Sequence, residues 1–176
     1  TGVITCFADA APAGHPDGLI PWGDVHRLRL PGESGDGRAR PALQALVSTL
    51  QCAKAVTFHG FLDETRLQEV RAVCDVFTSL PLDEPFGPLF PEAALQGQLL
   101  VGPNHGGPME ILEGGALGWA LPPFSVEALA DAYEAIQALP DSEVDHYRQR
   151  AAQSCRARFA PEVISRRLQT LLAPGS

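Results

Sequence analysis

The stretch DVFTSLPLDEPFGPLFPEAALQGQLLVGP, residues 75–103, reads as strand, loop, helix and strand in succession. DVFTSL (75–80) is a short apolar run without long alternation, the pattern of a strand covered on both faces, and LLVGP (99–103) has the same character. Between them lie two glutamates, Glu84 and Glu92, separated by Phe86, Gly87 and the prolines Pro85, Pro88 and Pro91. Pro91 suits the first turn of the intervening helix, where its missing N–H costs little. The amides of Leu89 and Phe90 are then expected to point outward, and Glu92 to lie just inside the helix. Gly87 is expected to let a ligand come close to the backbone.

The same rhythm extends in both directions. Upstream, VHRLRL (25–30) alternates as a strand and stops at Pro31-Gly32, and the loop PGESGDG (31–37) leads to a helix over 39–52 with Leu43, Leu46, Val47 and Leu50 at helical spacing. AVTFHGF (55–61) is the next strand. Asp63 caps a helix, ETRLQEVRAVC (64–74), whose Leu67, Val70, Val73 and Cys74 share one face. Downstream, GGPMEILEGG (106–115) is a short helix closed by glycines, and ALGWALPP (116–123) a strand ended by prolines. Helices over 125–139, 141–158 and 161–173 finish the chain, the first opened by Ser125 and the last with Pro161 in its first turn.

Strands alternating with helices in this way imply parallel βαβ units, hence an α/β fold with a doubly wound parallel sheet and C-terminal helices. Such sheets bind ligands beyond the carboxyl ends of their strands, which is where Glu84 falls. Residues 24–176 read as one Rossmann-like domain. Residues 1–23 are set apart: GVITCF (2–7) is a candidate first strand, but ADAAPAGHPDGLIPWG (8–23) is rich in Pro and Gly, without helical periodicity, and reads as an irregular connection or insertion.

Composition narrows the function. The 176 residues are 45% hydrophobic and 19% charged, enough apolar material for a real core. A formal charge of −8 with no Lys/Arg cluster argues against nucleic acid and anionic membrane surfaces as partners. The four cysteines (Cys6, Cys52, Cys74, Cys155) are scattered, without metal-ligand spacing, and read as small buried hydrophobes in a reducing compartment. No run approaches the ~18 apolar residues a membrane-spanning helix needs and no signal peptide opens the chain, so a cytoplasmic location is expected. The first residue is Thr1 rather than Met.

A carboxylate beside an anion-binding helix N-terminus repels phosphate but accepts hydrogen bonds from a diol. One carboxylate in the loop, bare backbone, a helix N-terminus and a second carboxylate therefore suit a sugar joined to a diphosphate joined to a ribose. The pattern E-P-F-G-x-x-x-x-E-A-A-x-x-G followed by GGPxEI resembles the E-x7-E signature of retaining nucleotide-sugar glycosyltransferases of the GT-B fold. The likeness runs from about Val25 to Leu172, and in such enzymes this half is the C-terminal donor-binding domain.

The resemblance implies that Glu84 lies near the hydroxyls of the transferred sugar, the backbone of Phe86 and Gly87 against the sugar, the amides of Leu89 and Phe90 at the diphosphate, and Glu92 on the ribose diol. It implies that Gly60, Phe61 and Leu62 lie against the base. The donor, a nucleoside diphosphate sugar, is a substrate; no metal or other cofactor is expected. A separate N-terminal acceptor-binding domain is expected to complete the enzyme, so that this domain transfers little sugar by itself.

Two features depart from the family pattern. The family places an Arg and a Lys after its first strand to neutralise the leaving diphosphate, whereas residues 1–26 contain neither; the only lysine is Lys54, and the first cations are Arg27, Arg29, Arg38 and Arg40. Pro88 also stands where a free N–H is usual. A degenerate, non-catalytic nucleotide-sugar binding module is therefore the alternative. Simpler roles are expected elsewhere: a tight turn at Gly106-Gly107 as readily as ligand contact, a hydrogen-bonded structural role for His59, a loop position for His105, a solvated face for Arg148, Arg150, Arg156 and Arg158, and packing for Trp22 and Trp119.

Overall fold

The computed structural model describes residues 2–7, 28–31, 40–50, 56–59 and 62–172. Its strands are β1 (Gly2–Phe7), β2 (Leu28–Pro31), β3 (Val56–Thr57), β4 (Val76–Ser79), β5 (Leu99–Pro103) and β6 (Trp119–Leu121). The helices are α1 (Arg40–Thr49), α2 (Glu64–Ala72), α3 (Leu89–Leu95), α4 (Gly106–Ile111), α5 (Val126–Ala138), α6 (Asp141–Phe159) and α7 (Pro161–Leu172), with a 3-10 turn at Glu113–Gly115. All the strand pairs are parallel, in the order β3-β2-β1-β4-β5-β6. This is a doubly wound sheet of the Rossmann type, whose winding reverses between β1 and β4.

The candidate strand GVITCF lies at the centre of that sheet, pairing Gly2 with Leu28 on one side and Ile4 to Phe7 with Val76 to Ser79 on the other. The irregular stretch 8–23, the loop 32–39, Trp22, Cys52 and Lys54 lie outside the described residues.

Pleating sends neighbouring strand residues to opposite faces, and both faces are covered. Val76, Leu99, Val101 and Leu121 pack with Ala132, Tyr133 and Ile136 of α5. Phe77 and Leu100 pack on the other side with Phe90, Ala93 and Ala94 of α3, Ile111 and Leu112 at α4, and Ala151 and Cys155 of α6. The Tyr133 hydroxyl donates to Thr78 Oγ1 at 2.9 Å, satisfying a buried polar pair on β4. Cys74 and Cys155 are buried, and burial, foremost, pushes the Cys155 thiol above its ordinary pKa.

The caps follow the sequence. Asp63 accepts from the Arg66 amide at 2.8 Å and Ser125 from the Ala128 amide at 3.1 Å. One helix face differs. Val73 was expected to share the buried face of α2, but the helix ends at Ala72 and Val73 is 67% exposed; Arg71 takes the buried position instead. The expected solvated arginine face on α6 also divides. Arg150 and Arg156 are exposed, whereas Arg148 pairs with Asp75 at 2.7 Å and Arg158 with Glu113 at 3.5 Å. Trp119 packs on Tyr147, ring centroids 5.0 Å apart.

Candidate functional site

β4 ends at Ser79 beside the winding reversal, so the loop 80–88 emerges at the crevice where doubly wound sheets take ligands. A helix cannot follow at once, because Pro81, Pro85 and Pro88 hold the chain extended or turned. The loop is instead organised by Glu84. Its Oε1 accepts hydrogen bonds from the amides of Phe86 at 3.2 Å and Gly87 at 2.9 Å, folding the carboxylate back over its own backbone. Those two amides therefore donate to Glu84. Oε2 has no partner among the described residues.

Gly87 is also required by the turn itself. Its φ is +78°, and an added Cβ would meet Pro108 Cγ at 3.0 Å and the Phe90 ring at 3.1 Å, so the residue is enclosed by protein. The backbone of the loop lies directly on the start of α4. The Gly107 amide donates to the Glu84 carbonyl at 3.0 Å, and a Cβ on Gly107 would stand 2.4 Å from both Phe86 Cα and the Pro85 carbonyl oxygen. His105, the N-cap residue of α4, has Nε2 3.1 Å from the Leu82 carbonyl. Gly106-Gly107 is thus both a tight turn and the contact that joins two loops into one wall.

Helix α3 begins beside that wall. Pro88 is its N-cap and Pro91 falls in the first turn, as expected, but the amide inventory is smaller. Pro88 and Pro91 have no N–H, and the Phe90 amide donates to the Gly87 carbonyl at 3.1 Å because the turn tightens there. Leu89 alone keeps an amide without an acceptor among the described residues. The Phe90 side chain is fully buried, edge-on to Phe77 with centroids 5.1 Å apart.

Glu92 is the fourth residue of α3, and its Oε2 accepts from Arg71 Nη1 at 2.8 Å; the Glu92 side chain is 51% exposed and that of Arg71 only 1%. The carboxylate therefore balances a buried guanidinium while remaining open to solvent on its other side. Local spacing does not mark this partner. The one signal in the sequence is an arginine next to an apolar stripe, which a helix usually turns to water.

Leu62 is half-buried, just before the Asp63 cap; Gly60 and Phe61 lie outside the described residues. His59 is half-buried after β3. Arg40 donates through Nη2 to the Phe58 carbonyl at 3.2 Å, and Arg27 and Arg38 lie outside the described residues. Among the described residues, no group of three or more His, Cys, Asp or Glu could hold a metal ion, and no helix is long and apolar enough to cross a membrane.

Residues 27–154 match the family Glycosyl transferases group 1. The chain belongs to the group 1 glycosyl transferases. The search of curated proteins found no match. Among solved structures, the sucrose-phosphate synthase of Thermosynechococcus elongatus is 24% identical over 84% of this chain and 38% of its own, with a TM-score of 0.73. Anabaena HepE, in complex with UDP and glucose, is 22% identical over 97% of this chain and 48% of its own, with a TM-score of 0.76. A glycosyltransferase of Rickettsia africae is 14% identical over 99% and 48%, with a TM-score of 0.77. These likenesses establish the Rossmann-like fold of GT-B glycosyltransferases. The group 1 chain spans less than half the length of each.

Proposed function

We propose that the chain is the donor-binding domain of a retaining glycosyltransferase that uses a nucleoside diphosphate sugar, with the acceptor held by a separate domain. The observation that carries this reading is the single wall made by the Glu84–Gly87 loop and the start of α4, at the winding reversal of the sheet, with Glu92 on the next helix. Glu84 faces the sugar through Oε2, Glu92 takes the ribose diol, and the Leu89 amide faces the diphosphate. Leu62, with Gly60 and Phe61, borders the base.

In the reaction the bond between the anomeric carbon and the diphosphate oxygen breaks, a bond from that carbon to an acceptor oxygen forms on the same face, and the acceptor proton leaves with the diphosphate. Charge builds on the leaving diphosphate, and stabilising such charge is usually the largest catalytic contribution. Glu84 and Glu92 cannot supply it, being anionic, and one amide is a small share. The neutralising cations are groups other than these. Acceptor positioning and exclusion of water likewise need closure against the acceptor domain.

A second reading, a binding module that no longer transfers sugar, is favoured by the absence of Lys and Arg from residues 1–26 and by the engaged Phe90 amide. A thermal-shift panel of UDP, GDP, ADP and their sugars tests what both readings share. One base should raise Tm by about 5–10 °C at a hundredfold excess over Kd, more with its sugar attached than without. No shift with any of them would contradict donor binding. Binding without turnover of a labelled donor, in a form that includes the acceptor domain, would favour the second reading.

A further inference from the structure

Phe86 is an anomaly in the wall: a large apolar side chain left 47% exposed between the proline and glycine that shape the loop. Its ring meets the edge of Phe159, with centroids 5.5 Å apart and planes at 78°. Phe159 is the last residue of α6, and the residue before it reaches the other half of the wall. Arg158 donates through Nη1 to the Glu110 carbonyl of α4 at 3.1 Å, pairs with Glu113 at 3.5 Å, and lies 4.8 Å above the Phe159 ring. Ser154, one turn earlier, donates to Glu113 Oε1 at 2.5 Å. The end of α6 thus grips both loops of the wall at once, and α6 itself is seated in the core by Ala151 and Cys155.

We infer that Phe159 is a positioning residue: its contact with Phe86 sets the pose of the Phe86-Gly87 backbone, and through it the sugar end of the donor site. This rests on the donor-site reading. The ring of Phe86 is largely outside the hydrophobic core, so its packing free energy goes into orienting its own backbone, the segment that the Glu84 carboxylate folds around. The Phe159 ring is half-buried at the edge of the core cluster of Phe77 and Phe90, so leucine, which keeps apolar contact there, removes the aromatic edge with least disturbance of the core. The diphosphate and ribose ends, on α3, do not depend on it.

Amide hydrogen exchange and calorimetry on Phe159→Leu, Phe159→Tyr and Phe86→Leu test the inference. In Phe159→Leu and Phe86→Leu, protection of the Phe86, Gly87 and Gly107 amides should fall while that of Phe77 and Val101 stays at the parent level. Affinity for the sugar nucleotide should fall about 2- to 10-fold, the range for loss of an aromatic pair, with that for the bare diphosphate unchanged. Phe159→Tyr, which keeps the ring, should restore both. Unchanged protection at Phe86 and Gly87, or loosened amides with undiminished sugar-nucleotide affinity, overturns the inference. A parent protein that binds no sugar nucleotide overturns the donor reading instead, and exchange, which needs no ligand, still decides whether Phe159 holds the loop.

Discussion

Replacing Gly107 with alanine is expected to cost about 3 kcal/mol of stability and most of the sugar-nucleotide affinity. The new methyl would lie 2.4 Å from Phe86 Cα, 2.4 Å from the Pro85 carbonyl oxygen and 2.6 Å from that of Phe86. All three are backbone atoms, which cannot rotate aside. The loop has to retreat from α4, and its retreat stretches the 3.0 Å hydrogen bond from the Gly107 amide to the Glu84 carbonyl. Gly97→Ala is the matching control. That glycine has φ +79° but nothing within 4 Å of its added Cβ, so the substitution carries backbone strain alone, about 1 kcal/mol. Urea denaturation of the two variants measures the difference, and calorimetry with the preferred donor measures the affinity. A Gly107 variant no worse than the Gly97 variant would mean that the two loops do not touch.

The second large effect belongs to Glu92. Glu92→Ala should weaken nucleoside diphosphate binding by about 1–3 kcal/mol, through lost hydrogen bonds to a charged acceptor. It should also lower stability by about 1–2 kcal/mol, because the buried Arg71 guanidinium loses its 2.8 Å acceptor. The two losses have different causes and can be separated by a double-mutant cycle. On an Arg71→Met background, which removes the buried charge and keeps much of the volume, Glu92→Ala should cost little further stability yet still lose the nucleotide affinity. If affinity and stability recover together in the double variant, Glu92 serves Arg71 and not the ribose.

The sheet was legible because β4 and β5 are short apolar runs bounded by turn residues, and both are covered on two faces as such runs require. Helix starts were legible where a local side chain makes the cap, as at Asp63 and Ser125, or where proline presets the backbone, as at Pro161. The place of β1 was not. Its pairing with β4 joins segments about seventy residues apart, and the Pro- and Gly-rich stretch after it carries no periodicity to announce a crossover.

In the candidate site, spacing brought Glu84, Phe86, Gly87 and Glu92 to notice, but their partners come from distant parts of the chain. Pro108 beside Gly87, Arg71 beside Glu92 and Phe159 beside Phe86 leave no local mark. Free amides were overcounted for a related reason. Whether an N-terminal N–H points outward depends on how tightly the first turn closes, and here the turn bonds Phe90 to Gly87.

The most direct measurement is calorimetry of the bare nucleoside diphosphate and its sugar conjugate against the parent and Glu84→Gln. The glutamine keeps an oxygen for the Phe86 and Gly87 amides while removing the charge proposed to face the sugar. Binding of the conjugate should weaken about tenfold, with affinity for the bare diphosphate preserved within about twofold. Equal losses for the two ligands, or a larger loss for the bare diphosphate, would contradict the sugar-facing role of Glu84.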